Sequence, residues 1–441
     1  MKWMLSPTML DTQTMNAPQL MQQQRPVSAH DEAGVNHGLA SHFLMVMFTL
    51  TACLGELAAA QLPRLERDVY ESRMGSALVA VEELPGWIDP ESGARIVQLT
   101  SRAVTSSNVH MEQRFASADG QRIVIQRFPF GRPPEVWVYD LSRRMMLRIG
   151  EGKALTASHS RNTVYYVVLD ADKAEARLMR LDLADLSTRV AFRFDKEQAP
   201  RKGAVSADER WFVGGPFATG GDVYRLTRID LQNGKADTLC EVRDMWNPHL
   251  QIDPGDPRRL LVQINRSGQT ADGASGATLA IVDVATGDVK PLPVGRPHTP
   301  LLSGHETWAG RSGRVIFTVA PGSPKSPLTN RGVYAIAPGD DQAQPIALGQ
   351  PFNHLAVSDD GRFFIVDNHR TQDIFVGSIA SGRFQKLCGS RTRQGRPQTS
   401  HAHPYMTPDN RHVIFNSNVT GVAQVYAAPI PAGFLEKLTT P

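Results

Sequence analysis

Cysteine is scarce in this chain of 441 residues, and its scarcity excludes two classes of site. The three cysteines, Cys53, Cys240 and Cys388, are widely separated along the sequence. Scattered thiols cannot build a disulfide framework, and they lack the close spacing of a cysteine-based metal site. Any metal site in this protein must therefore use other donors.

The chain also has little excess charge. Its formal net charge is +3, and no run of Lys and Arg is interleaved with aromatic residues. A nucleic-acid partner would call for a large basic surface, so we expect none. The content of 41% hydrophobic and 21% charged residues is that of a soluble protein with ample material for a core.

Long apolar runs are rare, and the clearest one covers residues 39–52. It is short for a membrane-spanning helix and is typical of a signal-peptide core. The run ends in Leu50-Thr51-Ala52-Cys53, which resembles a bacterial lipobox; cleavage after Ala60 is the alternative. We assign residues 37–60 to this segment and predict a periplasmic or outer-membrane lipoprotein with Cys53 as its lipid anchor, a cytoplasmic protein being the alternative. The Met- and Gln-rich residues 1–36 are expected to be disordered or to reflect a misplaced start.

Helical periodicity is scarce as well, which excludes α/β barrels and doubly wound sheets. From about residue 85 a unit recurs in which a short apolar strand, a turn of Asp, Asn or Gly, and a strongly β-forming strand precede a further strand pair. The turns lie at residues 115–120, 160–162, 205–209, 252–257, 310–313, 357–361 and 406–410. Seven units of roughly 40–57 residues with four strands each are typical of a β-propeller.

The two ends of the repeats provide a way to close the ring. Residues 94–100 form a strand pattern that can pair in the seventh blade, and residues 434–439 have the pattern of a lone outer strand. We therefore predict an all-β fold, a seven-bladed β-propeller over residues 85–441, closed by pairing of N- and C-terminal strands.

Several polar residues share one place in these repeats. In a propeller the first strand of each blade lines the central channel, and its start lies at the mouth where ligands usually bind. The positions about four residues before the turns carry, except in the second blade, Gln113, Lys202, His249, His305, His354 and His403. Four of the thirteen histidines thus share a register.

The stretch from Gln398 to Pro404 adds two further donors. His401 and His403 would lie on one face of a strand, where they can share a metal ion, and Gln398 is near enough to join them. Imidazole with a carboxamide oxygen suits Mn, Fe, Ni or Zn. The absence of carboxylates from the register argues against calcium, and the absence of thiolates argues against structural zinc.

Four stretches resemble the oligogalacturonate lyase family. They are the tail from Lys386-Leu-Cys through Gln398-Thr-Ser-His-Ala-His-Pro-Tyr-Met-Thr-Pro-Asp to Val413-Ile-Phe-Asn-Ser, then Trp246-Asn-Pro-His-Leu-Gln-Ile-Asp-Pro-Gly-Asp-Pro, Gly304-His-Glu-Thr-Trp and Phe352-Asn-His-Leu. The order and spacing of these stretches match the family pattern from about residue 85 to 435. The resemblance implies a seven-bladed propeller that cleaves short oligogalacturonides by β-elimination with a manganese-type ion at the channel mouth.

The resemblance also implies roles for single residues. His249 corresponds to the base that removes the C5 proton, and Arg225 lies where the family carries an arginine that binds the substrate carboxylate. The residues that correspond to ligands of Mn²⁺, or of another divalent transition metal, are His305, Gln398, His401 and His403. Lys202 and Gln113 would neutralise or orient the other sugar carboxylates, and His354 would contact substrate.

Some positions depart from the family pattern. Gln263-Ile-Asn-Arg stands where the family has Cys-His-Glu-Gly, so a substrate-binding His and Glu are missing. Ala402 replaces the proline of a His-Pro-His motif, and the loop of residues 390–397 is shorter. A lyase acting on a different uronide is compatible with these changes.

Other interpretations remain open at the level of sequence. A non-catalytic exported propeller that serves as a binding or scaffold module is the main alternative, and a metal-dependent hydrolase or epimerase is another. Arg225 is equally well interpreted as a surface ion-pair residue, and His354 as structural. Surface or loop positions are predicted for the histidines outside the register, His110, His159, His369 and His412.

Overall fold

The computed structural model of the protein describes residues 70–74, 77–158, 160, 162–170, 172–216, 223–245, 247–265, 277–295, 297–319, 330–393 and 398–440. These residues form a nearly all-β structure of seven antiparallel blades, which confirms the predicted β-propeller. The predictions for residues 1–36, for residues 37–60 with Cys53, and for His159 lie outside the described residues. Within the described part of the chain, no helix is long and apolar enough to cross a membrane.

Each blade runs from an inner strand at the channel to an outer strand. Blade 1 holds β5 (Thr105–Ser107), β6 (Arg122–Phe128), β7 (Glu135–Asp140) and β8 (Met145–Glu151). Blade 2 holds β9 (Lys153–Ser158), β10 (Thr163–Leu169), β11 (Glu175–Asp182) and β12 (Thr188–Asp195), and blade 3 holds β13 (Lys202–Val205), β14 (Trp211–Gly215), β15 (Val223–Asp230) and β16 (Lys235–Arg243). A 3₁₀ turn, Lys196–Gln198, separates these two blades.

The remaining blades repeat the plan. Blade 4 holds β17 (Gln251–Ile252), β18 (Arg259–Asn265), β19 (Ala277–Asp283) and β20 (Val289–Pro291), and blade 5 holds β21 (Leu302–Trp308), β22 (Val315–Val319), β23 (Gly332–Ile336) and β24 (Gln344–Leu348). Blade 6 holds β25 (Phe352–Val357), β26 (Phe363–Asn368), β27 (Asp373–Ser378) and β28 (Phe384–Gly389). Blade 7 holds β29 (Tyr405–Met406), β30 (His412–Ser417) and β31 (Gln424–Pro429).

The repeated turns owe their shape to one hydrogen-bond pattern. In the turn after the inner strand of blade 6, Ser358 Oγ bonds the Asp360 carboxylate at 2.6 Å and accepts the Phe363 N–H at 2.9 Å. The next residue, Gly361, has φ +71°, which reverses the chain. The same Ser/Thr-x-Asp arrangement with a positive φ recurs at Ser117–Gly120, Ser206–Glu209 and Thr407–Asn410.

The core lies between neighbouring blades. Strand side chains alternate between the two faces of a sheet, so each blade presents apolar groups to the blade on either side. Between blades 5 and 6, for example, Ile316 and Val333 pack against Phe352 and Phe364, all of them fully buried. This stacking fixes the inner strands around the channel.

Strand β4 (Arg95–Gln98) closes the ring by pairing with β31, as predicted. The closure is reinforced by the buried Thr100 hydroxyl, which bonds the side chain of Gln424. Strand β3 (Leu84–Ile88) extends the same sheet, and a hairpin of β1 (Tyr70–Met74) and β2 (Ala77–Val81) extends blade 1. The prediction of a strand at residues 434–439 is wrong: a turn from Pro431 to Phe434 leads into the short helix α1 (Glu436–Thr439), whose Leu438 is buried.

The inner strand of blade 1 is interrupted, and the interruption shapes the site. Between β5 and the isolated bridge at Ala116, the chain leaves the sheet and crosses the channel. We call residues 108–114 the crossing segment. Its contacts reach four other blades: Gln113 bonds Thr156 and Leu250, the Glu112 carbonyl accepts from Thr307, and Arg114 donates to the Val357 carbonyl.

Candidate metal centre and active site

Six imidazoles meet at one mouth of the channel, within the part of the chain that the structure describes. Neighbouring ring centroids lie 4.4–6.1 Å apart, in the pairs His110–His403, His110–His249, His249–His305, His305–His354, His354–His403 and His354–His401. Five of these residues were predicted to share the mouth. The prediction of a surface position for His110 is wrong, because the crossing segment carries this residue into the cluster.

His249 and His403 enter the cluster through the same backbone geometry. Both have φ +42°, a conformation that residues other than glycine rarely adopt. The residue before each is held by the next strand, where Gln263 N–H donates to the Pro248 carbonyl and Asn416 N–H to the Ala402 carbonyl, both at 2.8 Å. The geometry therefore repeats in blades 4 and 7 and turns both rings toward the other imidazoles.

His354, His401 and His403 form a triad suited to a metal ion. Each offers one nitrogen, and the three nitrogens lie within 4.8 Å of one another. His354 Nδ1 lies 2.7 Å from the carboxylate of fully buried Asp367 and therefore donates its proton there, which leaves the Nε2 lone pair free. Metal-binding histidines are usually oriented by such a carboxylate. The structure thus gives His354 the surroundings of a metal ligand rather than of the predicted substrate contact.

His305 lies beside the triad in a form that can bind metal. Its ring centroid is 4.5 Å from that of His354, and its Nδ1 is 3.2 Å from Ser303 Oγ. Burial holds the pKa of His305 well below its usual range, and it does the same for His403, with the neighbouring imidazole of His354 adding to both shifts. Both rings are therefore neutral near pH 7, which is the ligating form of imidazole.

The donor set of the triad fits a divalent transition metal. Neutral imidazoles suit Mn, Fe, Ni and Zn, and the Asp367 contact directs a lone pair rather than a proton into the triad. Gln398 lies on a 3₁₀ turn, Gln398–Ser400, with an exposed side chain. Its carbonyl accepts the His401 N–H at 3.0 Å, so the turn places His401, while a ligand role for the Gln398 side chain stays a prediction.

A second cluster surrounds His249, and sequence reasoning missed its acids. His249 Nδ1 lies against the carboxylate of Glu112 and 3.3 Å from that of Glu306, and both carboxylates are buried. Gln263 Nε2 donates to the other Glu306 oxygen at 2.9 Å. Glu112 also lies 3.4 Å from His110 Nδ1. The register positions themselves carry no carboxylate, but two residues next to them, Glu112 and Glu306, bring carboxylates into the site.

The acids change the proton affinity of the second cluster. Burial lowers the pKa of His249, but the carboxylates of Glu112 and Glu306 outweigh burial and raise it to about 9. Burial alone would raise the pKa of Glu112, yet the adjoining His249 and His110 hold it well below its usual range. Burial keeps the pKa of Glu306 above its usual value. An imidazolium at His249 is thus stabilised by its surroundings.

A small cleft of about 90 Å³, partly open to solvent, adjoins this cluster. Lys202 lines it, together with Lys153, Arg201 and His110, and a contact of Lys202 with substrate stays a prediction. Gln113 also borders the cleft, but its amide oxygen accepts from Thr156 and Ala157 and its amide nitrogen donates to Leu250. These bonds give Gln113 the role of a bridge between blades 2 and 4, in place of the predicted contact with substrate.

Arg225 lies apart from the histidines. It is on β15, the third strand of blade 3, with 55% of its side chain exposed, and its guanidinium pairs with Glu241 on β16 at 2.9 Å. In the described residues it contacts neither imidazole cluster. Its surroundings match the alternative that the sequence left open, a surface ion pair, rather than the predicted catalytic role.

Two sequence signals could have revealed the missed acids. Glu306 directly follows His305, and Glu112 directly precedes Gln113, so both adjoin register positions. A strict strand would point Glu306 away from the face that His305 occupies. A register shift in β21 between Leu302 and Glu306, next to Gly304 with φ +89°, breaks this alternation.

Two curated proteins with similar sequences are named as an oligogalacturonide lyase and an oligogalacturonate lyase. An oligogalacturonide lyase of Pectobacterium atrosepticum is 23% identical, with 78% of this chain and 95% of that protein aligned. An oligogalacturonate lyase of Dickeya dadantii is 22% identical over the same shares. No model of a known protein family matches the chain.

Solved structures give the same result for the fold. An oligogalacturonate lyase in complex with manganese superposes with a TM-score of 0.66 at 18% identity, covering 82% of this chain and 100% of that one. An oligogalacturonate lyase from Vibrio parahaemolyticus gives a TM-score of 0.64 at 17% identity with the same coverage. In sequence and in fold, then, the propeller of this protein is similar to the oligogalacturonate lyases, which confirms the resemblance carried by its motifs.

Proposed function

We propose that the protein cleaves short uronate oligosaccharides, with oligogalacturonides as the substrate class, by metal-assisted β-elimination to a 4,5-unsaturated product. The observation that carries the proposal is the triad of His354, His401 and His403, in which Asp367 orients His354. His110 lies between this triad and a cleft lined by basic residues. The names of the similar proteins supply the substrate class.

The triad and its neighbours act on the C6 carboxylate of the reacting uronate. The C5 proton of a uronate is weakly acidic, and a divalent ion, when bound at the triad, supplies the positive charge that stabilises the enolate developing at the C6 carboxylate. Asp367 holds the His354 Nδ1 proton, so that Nε2 keeps its lone pair. Burial keeps His305 and His403 neutral, so their nitrogens remain available as donors.

His249 is the proposed proton acceptor, and because its pKa is raised to about 9 the ring accepts a proton only in its neutral fraction, which grows as the pH rises. The electron pair of the C5–H bond forms the C4=C5 double bond, the C4–O bond breaks, and the leaving oxygen takes up a proton. The Glu112 and Glu306 carboxylates beside Nδ1 favour the imidazolium that forms when the ring accepts the C5 proton. This is the part that a carboxylate plays beside the histidine of a catalytic triad.

The test is the ultraviolet absorbance of the conjugated unsaturated uronate. The full chain would be incubated with di- and trigalacturonate, once with Mn²⁺ and once with a chelator. We expect product that depends on the metal and is lost in His249→Ala. His298→Ala is the matched control, because His298 is exposed and lies outside both clusters.

Other outcomes would redirect the assignment. If no product forms but the wild-type chain binds metal and His401→Ala does not, the metal site stands and the substrate is another uronide. If neither product nor bound metal is found, the lyase proposal is wrong, and the propeller is a binding or scaffold module.

A further inference from the structure

The second cluster brings imidazoles and carboxylates together without sharing a residue with the triad. His110 and Glu112, two residues apart on the crossing segment, meet His249, and one donor atom of each lies within 4.8 Å of the other two. Glu112 faces both rings, since one of its oxygens lies against His249 Nδ1 and the other lies 3.4 Å from His110 Nδ1. Glu306 adds an oxygen 3.3 Å from His249 Nδ1. Two imidazoles and a carboxylate are a donor set typical of divalent transition-metal sites.

Three atoms at the centre of this cluster are buried without a hydrogen bond. They are Glu112 Oε1, Glu306 Oε1 and His249 Nδ1, and none of them has a hydrogen-bond partner among the described residues. Each of the three side chains is at most 7% exposed. Buried polar atoms nearly always have a partner, and an exception calls for an explanation such as an ion. Because the three atoms face one another, one cation among them would give all three a partner.

Neighbouring residues hold these donors in place. Gln263 Nε2 donates to Glu306 Oε2 at 2.9 Å, which leaves Oε1 for the cluster. The Thr307 hydroxyl donates to the Glu112 carbonyl at 3.1 Å and anchors the crossing segment. Val109, which leads into the histidine of this segment, has φ +71°, a conformation that β-branched residues rarely adopt. Such strain persists only where the surroundings enforce it, and it is concentrated at functional sites.

We propose that the second cluster is a second cation site, which takes a divalent transition ion such as Mn²⁺, Fe²⁺ or Zn²⁺ on His110, Glu112, His249 and Glu306. Imidazole nitrogens suit Fe and Zn, and carboxylate oxygens suit Mn. Buried carboxylates call for a positive partner, and a divalent ion supplies it for both. The site goes beyond the proposed function and does not depend on it.

An ion in this site would stop the proposed reaction, and this effect does rest on the proposed function. An imidazole that binds a cation through Nδ1 keeps its single proton on Nε2 and has no lone pair with which to accept another. His249 could then not take up the C5 proton. Near pH 7 the proton on His249, whose pKa is raised to about 9, competes with the ion. We therefore expect the triad to fill first and the second ion to inhibit.

Titration calorimetry of the chelator-treated full chain with Mn²⁺ tests the site without substrate. We expect two ions per chain in the wild type and one each in Glu112→Gln, Glu306→Gln and His401→Ala. Loss of a donor should weaken binding by more than the ~10- to 100-fold of a residue that only orients one. Combining Glu112→Gln with His401→Ala should abolish binding. Neighbouring Mn²⁺ ions couple magnetically, so the electron paramagnetic resonance spectrum should show a coupled pair in the wild type and a single ion in each single variant.

Glu241→Gln is the matched control, since it makes the same change in a carboxylate that is half exposed on β16. It should bind two ions. The inference is overturned if the wild type binds one ion that His401→Ala abolishes. It is also overturned if both glutamate variants of the second cluster bind two ions with wild-type affinity.

The absorbance assay tests the effect of the second ion. Product formation should rise while the first ion binds and fall as the second binds. A rate that keeps rising until both sites are full would contradict inhibition. If no product forms at any Mn²⁺ concentration, the proposed function is contradicted instead, and calorimetry with the resonance spectrum still decides on the second site.

Discussion

His354 Nε2 lies 3.2 Å from His401 Nδ1, while Nδ1 of the same His354 ring lies 2.7 Å from the Asp367 carboxylate. The carboxylate fixes which nitrogen of His354 carries the proton. The other nitrogen then presents a lone pair to His401, and the His403 ring lies 4.4 Å away. Asp367 thereby prepares the triad for a cation, although no motif pointed to this residue.

The Asp367 contact predicts how metal affinity depends on this residue. We expect Asp367→Asn to weaken Mn²⁺ binding roughly 10- to 100-fold, the usual effect of removing a carboxylate that orients a metal-binding histidine. His354→Ala and His401→Ala should weaken it further. Titration calorimetry with Mn²⁺ would measure these affinities, and His298→Ala serves as the control. Unchanged affinity in Asp367→Asn and His354→Ala would show that the ion is held elsewhere in the cluster.

Arg225 gives a prediction that separates the sequence-based role from the observed surroundings. Because its guanidinium is more than half exposed and paired with Glu241, we expect Arg225→Ala to raise KM for digalacturonate much less than Lys202→Ala does. The absorbance assay measures both variants. A loss of kcat in Arg225→Ala as large as that in His249→Ala would restore the catalytic role implied by the family resemblance.

The contact between Arg114 and Asp359 gives a prediction about the free energy of unfolding. Its buried guanidinium reaches from blade 1 to blade 6, where it donates to the Val357 carbonyl and pairs with Asp359. We expect Asp359→Asn to reduce the free energy of unfolding by about 2 kcal/mol, because the buried guanidinium loses its charge-assisted contact with Asp359 while the contact with the Val357 carbonyl remains. Denaturant unfolding measures this change.

The control for that measurement is Arg143→Ala, which removes an ion pair with Asp140 from a side chain that is 66% exposed. The expected loss is below ~1 kcal/mol. Equal losses in the two variants would show that the pair across the channel contributes no more than a surface pair.

His412, which lies outside the metal cluster, gives a prediction about how the melting temperature falls in acid. Burial lowers the pKa of this histidine below its ordinary value of 6.5, with Asp409 opposing the shift and Arg411 adding to it. A lowered pKa means that its contribution to stability is complete above pH 6.5 and is lost as the pH falls through the folded-state pKa. We expect His412→Gln to flatten the fall in melting temperature between about pH 7 and pH 5. His369→Gln, at an exposed position, should leave the slope unchanged, and identical slopes in both variants would contradict the assignment.

Much of the fold could be predicted because propeller repeats are local. Each Ser-x-Asp turn bonds within a few residues, so Ser358, Asp360 and Gly361 show their structure in the sequence alone. The C-terminal helix could not be predicted in this way. Residues 434–439 carry a pattern compatible with a strand, and it is packing of Leu438 into the core that favours a helical turn.

The candidate site likewise has residues that the sequence repeats predict and residues that they do not. The repeat register placed His249, His305, His354 and His403 at one mouth, because equivalent positions of successive blades face the same channel. Sequence alone could not place His110, Glu112 or Arg114, since the crossing segment breaks the repeat and its contacts lie up to 243 residues away in the chain.

The sequence by itself therefore determined the number of blades, the closure by an N-terminal strand and the ring of histidines, because all three follow from short-range turn chemistry and strand periodicity. Only the tertiary structure decided which groups share protons. The meeting of His249 with Glu112 and Glu306, and of His354 with Asp367, depends on a crossing segment, a register shift and two residues with φ +42°, and local periodicity does not encode such departures.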